Sequence, residues 1–397
     1  MKNKSITILS VFGVFFLMLF SNSCKKEDTP DDTIKKATPY NFVVPKGFPT
    51  DLNIPSDNPL TVEGIKLGRY LFYDGRLSGR DDADSLMSCA TCHLQSSAFE
   101  IGENHPDFPD GHPHGLTGIK TPHFPLPLFN LVWNSEGYLW NGFISKDNTN
   151  LGIPSYGIPA EPQYHLTNIE SLVWMGIVAK HEMHGTIKMT EKMIRSIDIY
   201  PPMFEAAFGS KDINIDRISK AIAQFIRTIT SSDSRFDKML SGEITYTPSE
   251  RRGLVLFTTE EGADCFHCHG APGNPIMTTN LFYNNAKDTV FNDPRDRYGV
   301  TKDARDHGAY KSTTLRNIEL TGPYMHDGRF KTLDEVIDFY SEGLVYSEYA
   351  HPLMHKLAPP YGHGAELNPQ QKADLKAFLL TLTDETLLTN PAYSDPF

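Results

Sequence analysis

The sequence predicts a mainly α-helical fold with long loops, built from one plan used twice. Two observations carry this. A set of short segments recurs in the same order in the two halves of the chain, and few stretches alternate apolar and polar residues as strands do. The 397 residues exceed what one ordinary core needs, so two domains are expected.

The first element is a leader. MKNKSITILSVFGVFFLMLFSNSC opens with Lys2 and Lys4, runs apolar from Ile6 to Phe20, and ends in small residues before Cys24. That order is an export signal. The apolar run is shorter than the roughly 20 residues a membrane-spanning helix needs. SNSC followed by KKEDTPDD is similar to a bacterial lipoprotein signal, with Ser21 where a leucine is usual. Residues 1–23 are therefore expected to be removed and Cys24 to carry lipid. Residues 24–56, rich in Lys, Asp, Thr and Pro, read as a flexible tether. This places the protein on the periplasmic side of a bacterial envelope, touching the membrane only through that anchor. The formal net charge of −12 argues against nucleic acid as a partner. It is compatible with a basic protein partner.

Beyond Cys24, the remaining four of the five cysteines form two Cys-x-x-Cys pairs: Cys89 and Cys92 in SCATCH, Cys265 and Cys268 in DCFHCHG. In an exported protein such pairs can oxidise to disulfides, and two pairs can hold zinc. Neither use calls for the histidine that directly follows each pair, His93 and His269. Attachment of a c-type haem does. Two thiols add to two vinyl groups, and the next residue offers its imidazole to iron. Two such motifs, with no cysteine left over, make two c-type haems the expectation.

The segments around these motifs repeat as well. G-x-x-L-F occurs at Gly68–Phe72 and at Gly253–Phe257. FIRTIT (Phe225–Thr230) and FLLTLT (Phe378–Thr383) share F-x-x-T-[I/L]-T. Thr247-Pro-Ser-Glu250, Thr332 with Glu335, and Asn368-Pro-Gln-Gln371 are capping boxes that start helices. Leu375, Phe378, Leu379 and Leu382 then share a face, as do Leu333, Val336, Ile337 and Tyr340. A cytochrome c domain packs its first and last helices together over the haem. The repeat therefore reads as two cytochrome c-like domains, 57–235 and 245–390, each with one covalently bound c-type haem, joined by SSDSRFDKMLSGEITY. The first carries a long insert at 100–213, which Trp133, Trp140 and Trp174 suggest is ordered.

Taken in order, LGRYLFYDGRLS…SCATCH, PLFNLVWNSEGYLWNG, KHEMHGT, CFHCHG and TTLRNIELTGPYMHDGRFKTLDEVIDFY resemble the bacterial di-haem cytochrome c peroxidase family, including its MauG-like branch. The resemblance covers residues 60–385. It implies that the N-terminal haem meets hydrogen peroxide and the C-terminal haem accepts electrons from a small donor protein such as a cytochrome c. Trp140 falls where the family bridges its haems, although Asn141 and Phe143 replace the family's Asp and Arg. Glu182, in HEMHGT, falls on the acid/base that carries a proton from one peroxide oxygen to the other. Leu172 stands where many relatives have a glutamine. His114, with His112 as rival, falls in the loop of a displaceable distal histidine, whose departure would gate the reaction.

Tyr340 falls where many peroxidases have a methionine ligand and MauG-like members a tyrosine; Met325 and Met354 are alternatives. The implied iron ligands are thus His93, His269 and Tyr340. A phenolate would stabilise ferric iron and lower the second haem's potential. The family's calcium would draw on the carbonyls of Thr321 and Pro323, but its asparagine falls on Lys120 or Phe124, neither a good oxygen ligand. The expected function is reduction of hydrogen peroxide to water. The alternative is a MauG-like oxidase that modifies a protein partner through high-valent iron. A pure electron carrier is disfavoured by Glu182 and Trp140. A homodimer is compatible with either enzyme.

Overall fold

Helix α1 (Val62–Tyr73) begins where the Thr61 hydroxyl accepts the N–H of Gly64. The segment expected as an insert contributes three helices: α2 (Asn168–Val178), α3 (Ile187–Ser196) and α4 (Tyr200–Phe208). Helix α5 (Ile215–Thr228) closes the first half, and α6 (Arg235–Leu240) lies in the link. The second half runs through α7 (Pro248–Thr258), the short α8 (Phe266–His269) and α9 (Tyr298–Thr301), then α10 (Leu333–Glu342), α11 (Pro352–His355), α12 (Pro369–Leu380) and α13 (Glu385–Thr389). Among the described residues, sheet is confined to one antiparallel pair, β1 (Phe282–Tyr283) and β2 (Tyr310–Lys311). The fold is mainly helical with little sheet, as expected. All three capping boxes read from the sequence form with both reciprocal bonds.

This computed structural model describes residues 36–102, 105–109, 111–145, 158, 167–271 and 273–397. The expected signal, Cys24 and the start of the tether lie outside the described residues. Lys35–Phe397 forms one compact unit.

Within that unit one helix crossing is built twice. Helix α1 packs on α5, and α7 packs on α12. A Cβ on Gly68 would lie 1.9 Å from the Ala221 carbonyl oxygen, and one on Gly253 would lie 1.9 Å from that of Asp374. The glycine of each G-x-x-L-F is therefore what lets the two backbones touch. The phenylalanine that ends each motif is fully buried and meets the partner helix edge-on or tilted, Phe72 on Phe225 at 5.3 Å and Phe257 on Phe378 at 5.2 Å. Each such ring contributes roughly 1.5–3 kcal/mol by leaving water. These crossings anchor two separate apolar cores.

The link between the halves is tightly held. Arg316, in the LRN stretch, is fully buried, pairs with Asp237 and donates to the Pro275 carbonyl at 2.8 Å. Asn317 donates to the Ser231 hydroxyl at 3.1 Å. After α12 the chain returns to the first half. Tyr73 donates its hydroxyl to the Tyr393 carbonyl at 2.6 Å, Gln95 donates to the Leu387 carbonyl at 3.0 Å, and Leu387 joins the first core. The last residues, assigned from sequence to the second domain up to 390, therefore pack with the first core.

The tether expected over 24–56 needs correction for its described part. Thr38 donates both its N–H and its hydroxyl to the Glu63 carboxylate, at 2.7 and 2.9 Å. Phe48 is buried against Trp133 at 4.9 Å, and the Trp133 indole donates to the Pro49 carbonyl at 2.8 Å. The composition of this stretch is polar, but its few aromatics find an apolar groove and hold it down.

Candidate active site: two cysteine–histidine cavities

Each Cys-x-x-Cys-His forms a tight helical turn. The N–H of His93 donates to the Cys89 carbonyl at 3.1 Å, and that of His269 to the Cys265 carbonyl at 3.0 Å. Each turn opens on a cavity, of about 220 Å³ in the first half and about 200 Å³ in the second. The four cysteines are free, and the two pairs line different cavities. That separation rules out one four-thiol zinc site. Burial pushes the Cys89, Cys265 and Cys268 thiols up to about 12, so they are neutral.

The histidines are prepared alike. The Nδ1 of His93 lies 2.9 Å from the Phe99 carbonyl oxygen, and that of His269 lies 3.1 Å from the Thr313 carbonyl oxygen. With Nδ1–H donated to a carbonyl, Nε2 keeps its lone pair for a metal. Burial lowers both to about 4, so both rings are neutral. Two thiols and a neutral, oriented imidazole in the wall of one apolar cavity fit a c-type haem, and this holds in both halves.

Glu182 lines the first cavity. It sits just after α2, its N–H on the Ala179 carbonyl at 3.1 Å. Gly176 makes room for it, because a Cβ there would lie 2.9 Å from the Glu182 Oε2. Burial raises the carboxyl to about 7. A third of the side chain is open, toward the cavity it lines. His181 is held neutral by burial and by Arg295, lowered to about 4.

His114 is not brought to the lining of that cavity. Its ring packs edge-on to Phe108 at 5.1 Å. His112 tilts against Phe124 at 4.8 Å and is likewise absent from the lining. The cause is a close backbone contact. Gly115 sits directly on His181 and Glu182, Leu116 N–H donates to the Glu182 carbonyl at 3.0 Å, and Thr117 donates to the Lys180 carbonyl at 2.7 Å. The loop's glycine, not its histidine, meets the Glu182 segment.

Trp140 lines both cavities. Its indole N–H donates to the Phe124 carbonyl at 2.8 Å, and its own carbonyl accepts the Lys311 N–H at 2.7 Å. Lys311 lines both cavities too, with its Nζ donating to the Asn280 carbonyl at 2.9 Å; burial lowers it to about 7. Leu172 lines the first cavity as an apolar wall.

Tyr340 lines the second cavity, and so do Met325 and Met354. Asn285 joins two of these candidates. Its amide donates to the Tyr340 hydroxyl at 3.1 Å and reaches the Met325 sulfur at 3.8 Å. Burial raises the Tyr340 phenol above its ordinary value. At the expected calcium position neither Lys120 nor Phe124 offers a side-chain oxygen.

The repeat goes further than the sequence reading reached. YLWNGFI and YMHDGRF form matching loops, closed by Tyr138 N–H on the Ile144 carbonyl at 2.7 Å and Tyr324 N–H on the Phe330 carbonyl at 2.8 Å. Leu139 and Met325 both take positive φ, as do Gly142 and Gly328. Trp140 in the first half thus corresponds to His326 in the second, and their rings lie 6.2 Å apart. The shared Tyr-x-x-x-Gly spacing was the signal available.

Fold and site together define a helical protein with two equivalent haem-type cavities that share a tryptophan wall. The chain belongs to the di-haem cytochrome c peroxidase family. The family model described as Di-haem cytochrome c peroxidase matches residues 62–245. The cytochrome c551 peroxidase of Nitrosomonas europaea is 31% identical over 289 residues, covering 72% of this chain and 75% of that protein. The methylamine utilization protein MauG of Methylorubrum extorquens is 28% identical over 339 residues, covering 85% and 83%. A crystal structure of a MauG-like protein associated with microbial copper homeostasis superposes with a TM-score of 0.73 at 32% identity, over 90% of this chain and 99% of that one. Membership in a di-haem family implies two c-type haems with iron.

Proposed function

We propose that this protein reduces hydrogen peroxide to water with electrons from a small redox protein such as a cytochrome c. Residues 57–235 would form the peroxidatic half and 245–390 the electron-accepting half. The observation that carries the reading is Glu182: a carboxyl raised to about 7 in the wall of the first cavity. The second cavity has no such group; its Asp264 is tied to His267 at 2.6 Å and Lys356 at 2.8 Å. Peroxidase relatives support the same reaction class.

When bound, each haem supplies an iron able to exchange single electrons, with His93 holding one and His269 the other. The work of the chain is proton handling and containment. Hydrogen peroxide with two electrons and two protons gives two waters. The Glu182 carboxylate accepts the proton of one peroxide oxygen and returns it to the other, which leaves as water. A pKa near neutrality suits both transfers. The apolar wall, including Leu172, Val173 and Met175, keeps bulk water from that proton. Trp140, in the wall of both cavities, is the residue for electron passage between them.

One observation favours a second reading, a MauG-like oxidase acting on a protein partner. Tyr340 and its Asn285 bond place a phenol, the MauG-like residue, in the second cavity. On either reading we place the protein on the periplasmic side of the envelope, held by lipid at Cys24.

Rapid mixing of the purified protein with peroxide tests the proposal. With His114 away from the cavity, the fully oxidised form is expected to react without prior reduction. Steady peroxide consumption with a reduced cytochrome c supports the peroxidase. Reaction that stalls with such donors supports the MauG-like reading. Inertness in both redox states overturns both.

A further inference from the structure

Between the two cavities, three side chains from distant parts of the chain converge. The Nε2 of His123 lies 2.7 Å from the Oδ2 of Asp293, and one donor atom of His326 joins them so that all three lie within 4.8 Å of one another. We propose that His123, Asp293 and His326 form a binding site for a divalent transition metal ion of the zinc(II) or copper(II) class, separate from the haem irons.

The donor set selects the metal. Two imidazole nitrogens and one carboxylate oxygen suit zinc or copper, whereas calcium and magnesium want six or more oxygens, waters included. Tetrahedral zinc with bonds near 2.0–2.1 Å needs its ligand atoms about 3.3–3.5 Å apart. The His123–Asp293 pair is closer than that, and the whole set lies within 4.8 Å. Closure requires the His123–Asp293 hydrogen bond to open so that both atoms turn to the ion.

The surroundings already orient the ligands. Asp293 turns its other oxygen, Oδ1, to the Arg295 side chain at 2.7 Å and to the Arg295 N–H at 3.0 Å, which leaves Oδ2 facing the histidines. His326 is stacked on Tyr310 at 3.7 Å with an interplanar angle of 15°. The Tyr310 hydroxyl reaches Asp293 Oδ2 at 3.3 Å. The N–H of Phe124, the residue after His123, donates to the His326 carbonyl at 2.9 Å, so backbone holds the two histidine segments together. Such outer contacts are what fix metal-binding rings in place.

There is also a way in. A third cavity, of about 320 Å³, is lined by Asp293, Tyr310 and His326. It offers room for water as a fourth ligand. Its walls also carry Asp288 and Asp296 beside Lys287 and Arg329. The site adjoins Trp140, whose ring lies 6.2 Å from that of His326.

The test uses the protein with both haems in place. After treatment with a chelator it is titrated with zinc(II) in equilibrium dialysis, and bound zinc is measured beside haem iron. A single saturable zinc for each pair of irons is expected. His326→Ala and Asp293→Asn should each weaken binding by at least roughly tenfold, the lower end of what loss of even an outer-shell partner costs. An unchanged haem spectrum certifies that each variant is folded; if His326→Ala fails that check, His123→Gln replaces it. Absence of stoichiometric zinc in the unmodified protein overturns the proposal. So does zinc binding that these variants leave unchanged.

Discussion

The two halves share a scaffold and differ in what they put on it. Both use a glycine-mediated helix crossing, a Cys-x-x-Cys-His turn, a histidine locked by a backbone carbonyl, and a loop closed tyrosine to apolar residue. The first half adds Glu182 and Trp140, both delivered by the segment 100–213. The second adds Tyr340, Asn285 and, in Trp140's place, His326. Duplication supplied two ways to hold the same group; the loops between the helices set a buried carboxyl on one side and a phenol, an amide and thioethers on the other.

The largest test of that asymmetry is Glu182→Gln. It should slow reaction with peroxide roughly 10²–10⁴-fold, the usual weight of one acid–base group, and leave both haem spectra unchanged. Stopped-flow absorption gives the rate. Full activity would mean that the first cavity is no more specialised than the second.

The shared scaffold is tested next. Gly68→Ala and Gly253→Ala each set a Cβ 1.9 Å from a carbonyl oxygen of the facing helix. Each should cost about 1–3 kcal/mol, the typical penalty of overpacking. Thermal unfolding followed by circular dichroism should show similar losses for the two. A loss in only one half would mean that the crossings are not equivalent.

How much of this was legible follows from the kind of interaction. Cys89, Cys92, His93 and their counterparts could be read because covalent attachment demands fixed local spacing. Capping boxes at Thr247, Thr332 and Asn368 are local too. The G-x-x-L-F repeat named the crossing, although only coordinates show what Gly68 and Gly253 touch. What could not be read depends on distant contacts. Asn285 meets Tyr340 across 55 positions, and His123 meets Asp293 across 170. The stretch 36–56 looked unstructured because its composition was weighed and its partner, Trp133, was remote. His114 was placed by resemblance, and the Gly115 contact with the Glu182 segment turned it elsewhere.

Tyr340→Phe sharpens the second half. It removes the phenol oxygen but keeps the ring, so α10 packing should survive. Electron paramagnetic resonance of the oxidised protein should show one haem signal changed and the other intact. Met325→Leu should then leave the spectrum unaltered. The reverse outcome would assign the thioether, which shares the Asn285 amide, and would make the second half a conventional electron-entry site.

The smallest expected effect is a pH dependence confined to the first half. Glu182 sits near 7 because burial disfavours its charged form. Only the carboxylate can take a proton from peroxide. As pH falls below about 7 the charged fraction falls, and the rate of peroxide reaction should drop by about tenfold per pH unit. His181, beside it, is already neutral down to about 4 and adds nothing in that window. In Glu182→Gln that loss on the acid side should disappear, and any slope left near pH 7 would report Lys311 in the shared wall. Haem reduction through the second half has no matching carboxyl in its cavity wall, since Asp264 is ion-paired. A shared slope for peroxide reaction and for reduction would therefore place the titrating group in the wall common to both cavities, with Lys311, also near 7, as the residue to replace.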